Sequence, residues 1–134
     1  MPRKSLILLM FFALTSTAAF ADSAMDVYKA FKRVEAQLQT SINAKSFNDA
    51  YVDAKTELSI YAESPEAAKT PAFVGNIKNA EIEYGAANTF IITSHGYSES
   101  DRSFISGRAE SASRDLEQAK IALIREQAKI KKKK

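Results

Sequence analysis

The 134-residue chain has no cysteine and no tryptophan, one histidine, three prolines and four glycines. Without cysteine there are no disulfides, thiol catalysis, zinc–thiolate sites, covalent haem attachment or lipoprotein anchor. The lone histidine, His95, leaves no multi-histidine metal site. It sits in Ser94-His95-Gly96, where a helix-ending cation complements the negative end of the dipole. Carboxylate di-metal bundles need Glu-x-x-His pairs on facing helices, and none is present. The Gly-x-Ser-x-Gly elbow of serine hydrolases is missing too. No set of titratable residues converges in sequence, so a non-enzyme is expected. β-Hairpin signals are also lacking: there is no Asn-Gly or Asp-Gly turn and no alternating β-branched run.

The formal net charge of +3 suggests a cationic protein. The excess is confined to the two ends. Arg3 and Lys4 belong to an N-terminal leader, and Lys129 with Lys131 to Lys134 form a basic tail. Between Asp22 and Ala128 the chain carries 12 basic and 16 acidic residues, net −4. No basic surface for nucleic acid is expected on such a body.

Residues 1–21 have the pattern of a secretory signal peptide. Arg3 and Lys4 give the charged start, Leu6 to Leu14 the nine-residue apolar core, and Ala19-Phe20-Ala21 the small-x-small site. Thr15, Ser16 and Thr17 end the apolar run well short of the ~20 residues a membrane span needs. Cleavage after Ala21 is therefore expected, with a periplasmic or secreted product and no transmembrane helix in the mature chain.

Residues 22–128 read as one all-α domain. Val27, Phe31, Val34, Leu38 and Ile42 recur at helical spacing behind a Ser23/Asp26 capping signature. Phe47, Tyr51, Ala54, Leu58 and Tyr61 follow behind Ser46/Asp49. Pro65 stops that segment, and Thr70 as N-cap with Pro71 at the first helical position opens the next. Phe73, Ile77, Ala80, Tyr84, Ala87 and Ile91 form the cleanest heptad-like register in the chain. Ile105, Ala109, Ala112, Leu116, Ala119, Leu123 and Ile130 share one face of a last, longest segment beginning near Ser98. Short connections imply an up-down-up-down antiparallel four-helix bundle. The alternative is a three-helix bundle in which the first two segments merge through Asn43 to Lys45. The long last helix should carry its lysine tail, residues 129–134, beyond the bundle.

Several features are candidates for function. Ile121, Ile124 and Ala128 lie off the main stripe of the last segment, as Val74, Ile82 and Ile92 do on the third. A bundle helix needs only one apolar stripe, so these extra positions point to a wider core or a partner surface. Lys129, Lys131, Lys132, Lys133 and Lys134 beside them suit weak contact with anionic envelope components. Asp49, Asp53 and Glu57 form an acidic ridge at i, i+4, i+8, read as a solvated face or a docking strip for a basic partner. Gly85-Ala86-Ala87 and the Ser103, Gly107, Ser111 ridge suggest close helix approach. With Tyr84, Phe90 and Phe104 they suggest an apolar-ligand pocket instead.

Met25, the exported leader and the mature length resemble the b-type cytochromes built as four-helix bundles. There an N-terminal Met and a His on the last helix hold haem. This chain departs from that pattern, with no His from Arg102 to Lys134. An incomplete tetratricopeptide match, Ala80-x-x-x-Tyr84-x-x-Ala87, has no copy 34 residues away. The leading expectation is an exported helical bundle acting non-enzymatically, through self-association or a protein partner, with no bound cofactor or metal. Carriage of a small apolar ligand and haem binding are the alternatives.

Overall fold

The computed structural model describes residues 23–39, 43–93 and 99–132. Almost every described residue is helical and none is in a strand. The described residues form five helices in order: α1 (23–39), α2 (Ala44–Ala62), α3 (Pro65–Lys69), α4 (Pro71–Thr93) and α5 (Glu99–Lys132). The leader, Ile42, His95, Gly96, Ser98, Lys133 and Lys134 lie outside the described residues.

The expected stripes supply the core, although Leu38, Tyr51, Ala109 and Ile130 are only partly buried. Val27, Phe31 and Val34 of α1 are buried, as are Phe47, Ala54, Leu58 and Tyr61 of α2. All six residues of the α4 stripe are buried, from Phe73 to Ile91. On α5 the buried set is Ile105, Ala112, Leu116, Ala119 and Leu123. Each fully buried Leu, Ile or Phe contributes about 1.5–3 kcal/mol through removal of apolar surface from water. The long helices therefore owe their stability to this shared core more than to intrinsic propensity.

Paired residues give the helix directions. Asn48 meets Asn88, and Tyr61 stacks edge-on to Phe73, so α2 and α4 run antiparallel. Phe90 stacks on Phe104 while Glu126 reaches Ala72, so α4 and α5 are antiparallel as well. Lys120 lies over the Tyr28 ring and Ser113 bonds Glu35, which sets α1 antiparallel to α5.

Three local readings need correction. The N-cap of α2 is Asn43, not Ser46. Its side-chain oxygen accepts from the Ser46 N–H at 3.0 Å, and its backbone is extended (φ −111°, ψ 114°). Asparagine is among the best N-caps because its short oxygen reaches this orphan donor. That extended residue also rules out one helix running through Asn43 to Lys45. The connection after α2 holds a further single-turn helix, α3, started by Ser64 and Pro65 at N1. Its acidic start and basic end suit the dipole, and Lys69 pairs with Glu66 at 3.6 Å.

The third correction concerns the start of α4. Thr70 does not cap through its side chain. Its hydroxyl donates to the Glu66 carbonyl at 3.2 Å, which leaves its oxygen to accept from Tyr61 Oη at 2.6 Å. The α4 cap comes instead from α5. Glu126 accepts from Ala72 N at 2.7 Å and from Phe73 N at 3.2 Å, one bond per carboxylate oxygen. A negative charge at a helix N-terminus is favourable on both hydrogen-bonding and dipole grounds.

Candidate interaction surface

Helix α5 has 34 residues, about 50 Å, against 23 in α4. Glu126 sits at the first turn of α4, so Gln127 to Lys132 continue past the end of that helix. The buried stripe of α5 faces α1 and α4. Ile121, Ile124 and Ala128 point the other way. Ile124 is 59% exposed and Ile121 is 38% exposed. Ala128, Lys129, Lys131 and Lys132 are exposed beside them. No ion pair among the described residues involves Arg125, Lys129, Lys131 or Lys132. The result is a short apolar strip flanked by uncompensated positive charge.

The off-stripe residues of α4 divide. Val74 packs against the core, whereas Ile82 and Ile92 are exposed. Helix α2 adds two exposed apolar residues that escaped sequence analysis, Val52 and Ile60, the latter at 65% exposure. Both lie off the α2 stripe, so the same reasoning would have found them. Asp49, Asp53 and Glu57 are exposed next to them. Asp49 pairs with Lys45 at 3.0 Å, while Asp53 and Glu57 make no ion pair among the described residues. No group of three or more metal-ligating side chains occurs among the described residues.

The residues suggested for an interior pocket pack against one another or against neighbours. Tyr84 is fully buried between Phe31, stacked at 6.4 Å, and Phe47, edge-on at 6.4 Å. Phe90 and Phe104 stack at 4.6 Å, and Arg108 covers Phe104 while pairing with Glu83 at 3.1 Å. Gly85 provides a close approach between helices. A Cβ there would lie 2.6 Å from Tyr51 Oη. Gly107 has nothing within 4 Å, and Ser103 is exposed, so the Ser103–Gly107–Ser111 ridge does not carry a close helix contact. Two recesses among the described residues are open grooves. One, about 400 Å³, lies between α4 and α5, bordered by Asn79, Ile82, Glu83, Ser111, Arg114 and Asp115. The other, about 390 Å³, lies along α5 from Glu110 to Gln118. Met25 lies off the buried stripe of α1, 36% exposed.

A polar cluster crosses the interior where α1, α4 and α5 meet. Glu35 accepts from Ser113 Oγ at 2.8 Å and pairs with Lys32. The hydrogen bond that Lys32 donates to Glu35 holds its ammonium above the usual range. Tyr84 Oη has no hydrogen-bond partner. The nearby Ser113 hydroxyl gives its proton to Glu35. Burial pushes the Tyr84 phenol far above the usual tyrosine range, and the Glu35 charge adds to the shift. Burial also raises the Asp115 carboxyl, with help from Glu83 and against the opposing charge of Arg114. Asn88 donates to Asn48 at 2.9 Å, and its own carbonyl oxygen is buried without a partner.

Compared with known proteins, the chain matches no family model, no curated protein and no solved structure. Its functional reading therefore rests on its own surface and interior.

Proposed function

We propose that this protein is a helical bundle of up-down-up-down topology that works by binding other proteins through the outer face of α5, without catalysing a reaction. The observation that carries this reading is the pair Ile121 and Ile124, exposed on a helix whose opposite face already supplies a complete core stripe. The two are adjacent on the helix, and a contiguous exposed apolar patch rimmed by polar residues marks an interaction site. The alternating helix directions support the topology. The N-terminal leader pattern supports export to the periplasm or beyond, with cleavage after Ala21.

The test is Ile124→Glu. It should leave helicity and thermal midpoint unchanged, because the side chain is exposed. It should also reduce the protein's mass in solution, its capture of partners, or both. If neither changes, the reading fails.

A further inference from the structure

We propose that the partner of the α5 face is a second copy of this chain, docked through the outer face of its α2. This rests on the reading above and specifies the occupant. Both helices carry an unpartnered strip of similar length and opposite charge. On α5, Ile121 and Ile124 are followed by Arg125, Lys129 and Lys132, all exposed. On α2, Val52 and Ile60 flank Asp53 and Glu57, again all exposed. From residue 121 to 132 the helix rise is roughly 16 Å and from residue 52 to 60 roughly 12 Å, so the shorter strip can lie along the longer. Each would offer the other two apolar side chains, and each would bring the charges the other lacks. Charge matching of this kind selects the partner and speeds encounter.

The two strips cannot meet within one molecule. Gly85 and Asn88 of α4 face α2, through Tyr51 and Asn48. Glu83 and Phe90 face α5, through Arg108 and Phe104. At about 100° per residue these pairs fall on opposite sides of α4. Helices α2 and α5 therefore flank α4, and their outer faces point away from each other. The contact is between copies and joins two different surfaces, so it is head-to-tail. Such contacts build rings or open chains, not closed two-fold dimers. The strips are small, which makes the association transient and salt-sensitive.

Sedimentation of the purified protein tests this. At about 20 mM NaCl, where screening reaches roughly 20 Å, the average mass should rise with concentration past that of a dimer. At about 0.5 M NaCl, where screening reaches ~4 Å, it should return to that of a monomer. Two charge-reversed proteins, Asp53→Lys/Glu57→Lys and Lys129→Glu/Lys132→Glu, should each keep full helicity by circular dichroism. Each should associate at least tenfold more weakly alone. Mixed, they should associate again, and adding Ile121→Ala/Ile124→Ala to both should abolish the recovery. A monomer at every low-salt concentration overturns the proposal, as does association that survives both reversals or mixing without recovery. Lysine-dependent binding to phosphatidylserine vesicles by a protein that stays monomeric also overturns it, and makes lipid the occupant. If self-association fails while Ile124→Glu still abolishes capture of a different protein, only this inference falls. If Ile124→Glu changes nothing at all, the underlying reading falls with it.

Discussion

Tyr84 is where burial and polarity conflict most sharply. Its ring is held between Phe31 and Phe47, yet its hydroxyl is buried with no partner. An unsatisfied buried hydroxyl costs about 1–3 kcal/mol, so Tyr84→Phe should stabilise the protein by about 1 kcal/mol in urea unfolding at pH 7. The same residue governs behaviour in alkali. Its phenol stays protonated in the folded state, whereas an unfolded tyrosine ionises near pH 10. Folding is then linked to proton retention, and stability falls as pH rises above about 10. Tyr51 and Tyr61 shift in the same direction through burial and add to the loss. Tyr84→Phe should move the alkaline unfolding midpoint upward; an unmoved midpoint would mean the phenol is solvated. The glycines make a second contrast at this scale. Gly107→Ala should add about 0.5–1 kcal/mol, since nothing crowds the site and alanine is the better helix former. Gly85→Ala drives a methyl group into Tyr51 Oη. In a Tyr51→Phe background the nearest remaining atom is the ring carbon at 3.4 Å, an ordinary contact. The same change should therefore be about 1 kcal/mol more favourable there, a coupling that a double-mutant cycle measures.

Individual elements were legible in the sequence to the extent that their information is local. The α4 stripe at spacings of four and three is buried residue for residue, because periodicity alone decides which face of a long helix meets the core. Helix starts were less legible. The cap of α2 is three residues earlier than the Ser46 signature suggested, since the Asn43 side chain takes the Ser46 N–H and the helix is already under way at Ala44. The cap of α4 was not legible at all. It comes from Glu126, more than 50 positions downstream, and no local pattern encodes that contact. Glu126→Ala should destabilise the protein by about 1–2 kcal/mol, with a smaller loss for Glu126→Gln, which keeps one acceptor. Equal stability of all three proteins in urea would show that the start of α4 does not depend on α5. The partly buried polar pairs Asn48–Asn88 and Glu35–Ser113 were equally hidden, because each joins residues 40 or more positions apart.

Charge and apolar surface are divided between elements across the whole molecule. Basic residues gather at the projecting end of α5, and the acidic ridge lies on α2. No helix among the described residues is long and apolar enough to cross a membrane. Of the candidate site, Ile121, Ile124 and the lysines were legible because they break the pattern a core helix needs. Val52 and Ile60 were visible in the same way but were masked by the acidic ridge around them. What unites these residues is exposure, which depends on how the helices surround α4 and so appears only in the folded molecule.

The central claim is that the outer face of α5 touches another protein in the cell. A photo-reactive amino acid at position 124, irradiated in cells making the protein, tests it most directly. Lys78, exposed on α4 and away from α5, serves as the control position. The account predicts discrete higher-mass adducts from position 124 and none from position 78. Adducts from neither position, or the same adducts from both, would contradict it.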